Sequence, residues 1–276
     1  MTDVLLGFTK FKLGKSNNMS RLRRMPRETR RRSYDQYCAA ARALDTVGDR
    51  WTLLVVRELL AGPRRYSDLH ADLPGVSTDV LASRLKEMEQ SGLALRRRLA
   101  RPSSVQVYEL TPRGRALLPV LDALAAWGAP DLAGRRPTDA VRAHWFAVPL
   151  LGVLTPAAAS AGRRGAVEVR IDEGVFHLVL GPEDHEDPEE DGSPEHPEPA
   201  VAVGHEGAPA PGPAYGPAYG DGPAPAPAAV LTLTTDTCTA LVTGALTLAE
   251  GVRSGRIAVE GDGGLLGVGV HQGACP

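Results

Sequence analysis

The chain has 276 residues, a formal net charge of −2 and three cysteines. That length fits about two domains. The cysteines, Cys38, Cys238 and Cys275, are too few and too scattered for a disulfide framework or a metal site. The small net charge hides an asymmetry: residues 1–130 carry 23 Lys+Arg and 13 Asp+Glu, while residues 131–276 carry 8 and 20. A basic half fits a polyanionic partner such as nucleic acid, and the acidic half argues against one along its own surface.

No apolar run approaches the roughly 18 residues that span a bilayer, and Met1–Asn18 lacks the pattern of a signal peptide. A soluble, cytoplasmic protein with no membrane insertion is the expectation. Residues 1–32 form a basic N-terminal tail. Its Arg21–Arg32 stretch is either an arm that contacts DNA or a solvated segment.

Residues 33–130 carry helical periodicity. Ala40, Ala43, Leu44 and Val47 mark one helix, stopped by Gly48. Trp51–Ala61 reads as a second, stopped by Gly62-Pro63. Ser67 is placed to cap a short third helix with Leu69 and Leu73 inward, closed by Pro74-Gly75. Ser77 is placed to cap a fourth over Thr78–Gln90, with Leu81, Leu85 and Met88 as its buried stripe. The short turn between the third and fourth helices is that of a helix-turn-helix.

The opposite face of the fourth helix carries Asp79, Ser83 and Lys86, with Arg84 at its edge and Ser77 and Thr78 in its first turn. Short polar groups and cations suit base edges and phosphates when a helix lies in the major groove. Leu93–Leu99 and Val105–Leu110 then alternate around a basic loop, Ala100–Ser104. This hairpin reads as a wing whose Arg98 and Arg101 reach phosphates or the minor groove. Thr111 and Pro112 open a helix whose Leu117, Leu118, Leu121, Leu124 and Trp127 form an apolar stripe. Part of it is either a homodimer seam or packing within one subunit.

Residues 138–269 form the second domain. Ala166–Ile171 and Val175–Leu180 are a hairpin around Asp172-Glu173-Gly174. The span 181–229 holds 20 Gly+Pro, 11 acidic residues and no Lys or Arg. It repeats Gly-Pro-Ala-Tyr and is expected to be a disordered insertion. A strand over Ala229–Thr234, a helix from Asp236, a helix over Thr247–Ser254 and a strand over Arg256–Glu260 follow. His177 reads as a pocket polar group or a surface residue.

Several runs, in order, resemble the HxlR-type bacterial regulators. They are Cys38, Leu44-Asp45, Gly48 to Leu54 and Arg57-Glu58-Leu59, then Arg65 to Leu69. Leu81, Arg84 to Glu89 and Gly92-Leu93 follow, with Tyr108 to Gly114 last. The resemblance implies a homodimeric winged-helix regulator of transcription that binds double-stranded DNA, with its fourth helix in the major groove. The DNA-binding set it supports is Ser67, Ser77, Thr78, Asp79, Ser83, Arg84, Lys86, Arg98 and Arg101. This sequence departs from the family at Asp49-Arg50, where Gly-Lys is usual, and at Asp79, where a basic or polar residue is common. Cys38 sits where some members carry a reactive thiol; here it is a redox sensor or a small hydrophobe at a dimer seam.

The second domain resembles the sterol-carrier-protein type of lipid-binding domain. The resemblance rests on Val230 to Thr234, Leu241 to Gly244 and Ser254 to Asp262. It implies a cavity between a sheet and helices that takes an apolar small-molecule effector, with a domain that has kept its core and lost its pocket as the alternative. The fold class expected is therefore α+β: a winged helix-turn-helix domain followed by a small α/β sterol-carrier-like domain. No cofactor, metal or catalytic constellation is expected. A redox regulator with a purely structural second domain, an enzyme and a protein-interaction module are the rival readings.

Overall fold

The computed structural model of the chain describes residues 33–99, 105–172, 174–181 and 219–269. The chain divides after Asp45 into two compact units. Before the division, the Asp45 carboxylate accepts hydrogen bonds from Ser33 Oγ (2.9 Å) and the Tyr34 backbone N–H (2.8 Å), which folds this segment back on α1 (Ala39–Val47).

The second unit opens with α2 (Thr52–Leu60), α3 (Tyr66–Asp72) and α4 (Thr78–Gln90). Trp51 enters α2 with φ 81°, a left-handed conformation that costs a non-glycine residue of the order of 1 kcal/mol. Ser77 caps α4 as expected, its Oγ accepting from the Val80 N–H. Ser67 does not cap α3. Arg64 forms a β-bridge with Tyr108, which leaves Arg65 extended (ψ 157°), so the helix starts at Tyr66 and Ser67 lies within its first turn.

The wing strands β1 (Ala94–Arg98) and β2 (Gln106–Leu110) pair antiparallel, with Arg98 opposite Gln106. The loop that carries Arg101 lies outside the described residues. The expected single helix after the wing is two: α5 (Pro112–Arg115) and α6 (Leu118–Gly128). Pro119 is the cause. It has no N–H, and its ring meets the carbonyl four residues back, so α5 cannot run into α6 unbroken.

A 3-10 turn over Ala143–Phe146 leads into α7 (Ala147–Ala161), whose Ala147, Leu150, Leu151, Leu154 and Ala158 face inward. A five-stranded sheet follows, in the order β5-β4-β3-β6-β7. Its strands are β3 (Gly165–Ile171), β4 (Gly174–Leu180), β5 (Tyr219–Asp221), β6 (Ala229–Leu233) and β7 (Ala258–Gly261). Within it the β3–β6 pair is parallel and the other three pairs are antiparallel. The crossover from β6 to β7 is α8 (Thr235–Val242) and α9 (Leu248–Arg253), the latter with a complete capping box between Thr247 and Glu250.

The insertion expected to be disordered is ordered at its end. Residues 182–218 lie outside the described residues, but from Tyr219 the chain is a strand on the edge of β4. Tyr219 is 1% exposed. A window average over Gly and Pro conceals one aromatic anchor and a free strand edge that needs pairing. One contiguous hydrophobic core, from Val47 to Val268, joins the winged helix to this sheet module.

Two helical stretches, Pro112–Gly134 and Ala143–Ala161, are long and apolar enough by length and composition to cross a membrane, although neither is an unbroken apolar run. The first is interrupted at Ala116–Leu117 and carries Arg113, Arg115, Asp122 and Asp131. The second supplies core residues.

Candidate nucleic-acid interface

Leu81, Leu85 and Met88 are buried and anchor α4. That rotation leaves Ser77, Thr78, Asp79, Ser83 and Lys86 exposed along one side. Val80 joins them at 40% exposure, an apolar group suited to the methyl of thymine. Its place off the Leu81–Leu85–Met88 stripe was the signal that could have found it. Ser67 is exposed at the start of α3, its hydroxyl donating to Asp68 Oδ1.

Arg84 is placed differently from its neighbours. Its guanidinium NH1 donates to Asp49 Oδ2 (2.7 Å) and Glu87 Oε2 (2.6 Å), and its side chain is only 15% exposed. Asp49, a departure from the family pattern, therefore ties the start of α2 to the middle of α4. A second tie is the Tyr66 hydroxyl, which donates to the Thr78 carbonyl at 2.8 Å and fixes the first turn of α4.

On the wing, Arg96, Arg97 and Arg98 are exposed. Arg96 bonds Gln106 and lies over the Tyr108 ring, and Arg97 pairs with Glu109. These contacts hold two cations against the strand, and the Arg98 backbone pairs at its tip.

Cys38 is exposed, and backbone N–H groups of Ala41 and Ala40 at the head of α1 hold its thiol below the usual cysteine range. Cys238 is buried, which pushes its thiol up.

The apolar stripe on α6 is partly exposed. Trp127 is 82% exposed and Leu124 45%. Leu121 is buried, and Leu117 and Leu118 pack on the core. The first half of the stripe therefore packs within the subunit, while Leu124 and Trp127 face solvent.

In the sheet module, a groove of ≈ 670 Å³ lies between α7, α8 and α9, lined by residues such as Val153, Ala157, Leu241, Leu248 and Leu266. His177 does not line it; its Nδ1 meets the Gly222 carbonyl at 3.1 Å.

Among the described residues, Glu58, Asp72 and His144 are the group whose ligand atoms come together, all within 4.8 Å. Sequence reasoning did not find them. The Glu58 carboxylate already accepts from Arg57 (2.7 and 2.9 Å), Trp145 Nε1 (3.0 Å) and His144 Nε2 (2.8 Å). Asp72 pairs with Arg64 and Arg142. Three guanidiniums answer these acids, so the arrangement is an ion-pair seam in which a divalent cation meets like charge. Burial alone would raise the Glu58 carboxyl; the His144 bond and the Arg57 charge outweigh it and hold it below the ordinary carboxylate range.

Residues 46–134 match the family model described as HxlR-like helix-turn-helix. Among curated relatives, the HTH-type transcriptional regulator YvaP of Bacillus subtilis (strain 168) is 39% identical over 87 residues, which are 31% of this chain and 80% of that protein. The HTH-type transcriptional regulator YodB of the same organism is 35% identical over 85 residues, 31% of this chain and 76% of YodB. The solved structure of reduced YodB from B. subtilis aligns over 34% of this chain and 92% of its own at 33% identity, with a TM-score of 0.31. With α3 and a buried-stripe α4 forming a helix-turn-helix, a basic wing, and a match to most of YvaP, the chain belongs to the HxlR-like helix-turn-helix family, the DNA-binding regulators of transcription.

Proposed function

We propose that the chain reads double-stranded DNA as a homodimer, laying the Thr78–Ser83 face of α4 in the major groove and the wing arginines, Arg98 and Arg101, on phosphates. The observation that carries this is the exposed polar row Ser77, Thr78, Asp79, Ser83 and Lys86 on a helix whose opposite face is locked into the core. Arg84, held by two carboxylates, positions the helix. Ser67 and Asp79 complete the interface at its edge. An acid at Asp79 selects cytosine and repels phosphate. The exposed Trp127 and Leu124 fit the second copy, since a symmetric dimer presents two α4 helices one DNA turn apart. Such a regulator acts in the cytoplasm and performs no catalysis.

The sheet module takes an apolar small molecule, as its sterol-carrier resemblance implies, but in a groove among α7, α8 and α9 and not between the sheet and the helices. The apolar lining of that groove supports the reading. A redox reading is favoured by a specific observation at Cys38, an exposed thiol shifted toward thiolate.

The test of the DNA reading is selection of retained fragments from random DNA, followed by affinity against salt. A pseudo-palindrome and a steep salt dependence are expected. Retention of no sequence above background overturns it. Native mass spectrometry of the full chain tests the groove, where a co-purifying lipid-like mass is expected. An empty protein with no thermal shift from fatty acids or sterols overturns that part alone.

A further inference from the structure

The sheet module grips the winged helix at two carboxylates. Glu58, on α2, is 1% exposed and receives His144 Nε2 and Trp145 Nε1 from the 3-10 turn that opens the module. Asp72, the last residue of α3, receives Arg142 Nε at 3.4 Å and Arg64 at 3.5 Å. Arg64 also reaches Asp221 on β5 at 3.2 Å, and the Tyr219 hydroxyl donates to the Arg57 carbonyl of α2. Arg57 completes the seam by lying over the Trp145 ring, 4.6 Å from its centre.

Position matters more than number here. Only Leu73 to Ser77 separate Asp72 from the first residue of α4, and Leu73 and Val76 of that turn are buried. A packed turn of this length transmits a displacement of the end of α3 to the start of α4, because close-packed interiors do not absorb it. The buried Glu58 tolerates few alternative arrangements, since an unpaired charge there is costly, and the part-exposed Asp72 is held from two sides by Arg64 and Arg142. The seam is thus stiff at the point where the reading helix is aimed.

We propose that Glu58 and Asp72 are positioning residues for DNA binding, through which the sheet module sets the pose of α4. The proposal rests on α4 being the DNA-reading helix. It gives the sheet module a route to the DNA that runs through the helix-turn-helix itself, in addition to the packing of α6 on α7.

The experiment uses the full chain and an operator fragment selected by that chain. Trp145→Phe keeps an aromatic ring and removes the indole N–H; Arg142→Gln removes one of the two guanidiniums at Asp72 and leaves Arg64. Both lie off the reading face of α4. Each is expected to weaken operator binding about 5-fold or more at a temperature where the protein stays folded, the scale of ordinary coupling between sites. The slope of affinity against salt should not change, because the same phosphates are neutralised as before. Combined, the two should cost less than the product of their separate effects. In the parent, the Trp145 indole N–H resonance, assigned by its disappearance in Trp145→Phe, should shift on saturation with operator DNA.

A lowered melting temperature with operator affinity within about 2-fold of the parent, and an indole resonance that DNA leaves in place, would show the seam to be cement and overturn the proposal. A flattened salt slope would overturn it as well, by making these groups DNA contacts. Thr78→Ala in the same assay reports on the reading beneath it: if that variant binds every sequence as the parent does, α4 is not the reader and the inference falls with it.

Discussion

His144 Nε2 lies 2.8 Å from Glu58 Oε2, joining the winged helix to the sheet module across 86 positions of sequence. Glu58 is 1% exposed, so this is a buried charge whose cost is offset only because every oxygen has a partner. Its carboxyl titrates below the ordinary range because the His144 bond and the Arg57 charge outweigh burial. A depressed folded pKa contributes stability that is complete above the unfolded value, about 4.3, and is lost as pH falls through the folded value. Glu58→Gln should therefore cost about 1–3 kcal/mol at neutral pH. The gap in melting temperature between parent and variant should narrow as pH is lowered below about 4. A gap that is constant from about pH 7 to about pH 3 would contradict the assignment.

Tyr219 separates packing from hydrogen bonding at the same seam. Tyr219→Phe keeps the fully buried ring and removes the hydroxyl from the Arg57 carbonyl, at a cost of about 1 kcal/mol. Tyr219→Ala also empties the ring's volume, at about 3–5 kcal/mol. Chemical denaturation of the two variants measures both, and equal losses would mean that the ring contributes nothing.

The wing and the reading helix should fail in different ways. Changing Arg98 and Arg101 to Ala should weaken all DNA sequences alike and flatten the salt slope by about 0.9 for each phosphate no longer neutralised. Thr78→Ala or Ser83→Ala should change which bases are preferred. Arg84→Ala should lower affinity with the salt slope intact, because that guanidinium is committed to Asp49 and Glu87. Titrations at several salt concentrations distinguish the three patterns.

Cys38 has the exposure and the lowered thiol pKa of a reactive site. Its alkylation rate against pH should reach its midpoint below that of a free cysteine. Cys38→Ser should then keep DNA binding and remove any response to thiol oxidants. An ordinary alkylation profile would leave this residue a packing role only.

Leu124→Glu combined with Trp127→Glu places charge on the exposed stripe of α6 and leaves the buried Leu121 in place. Light scattering should show a monomer, and operator affinity should fall because one half-site is then read at a time. A dimer that persists would move the interface elsewhere.

The local parts of this protein are legible within short stretches of the chain. The Leu81–Leu85–Met88 period, the Ser77 cap and the Thr111-Pro112 start are signals carried within one or two helical turns, and the helices and wing strands fall where they place them. The β3–β4 hairpin was legible for the same reason, as alternation around turn residues, whereas β5 was not. The rest depends on residues far apart in the chain. Arg84 reads as a DNA contact from its helix face alone, and Asp49, 35 positions away, holds its guanidinium in an ion pair that no local signal announces. Tyr219 looked like part of a Gly/Pro-rich repeat until the β4 edge and the Arg57 carbonyl gave it partners. Glu58 was one letter of a helix motif, and became the centre of the seam because His144 and Trp145 fold back onto it. Periodicity reports which side of an element faces inward. It carries no record of which distant charge will be waiting there, and a buried carboxylate is stable only once that partner has arrived.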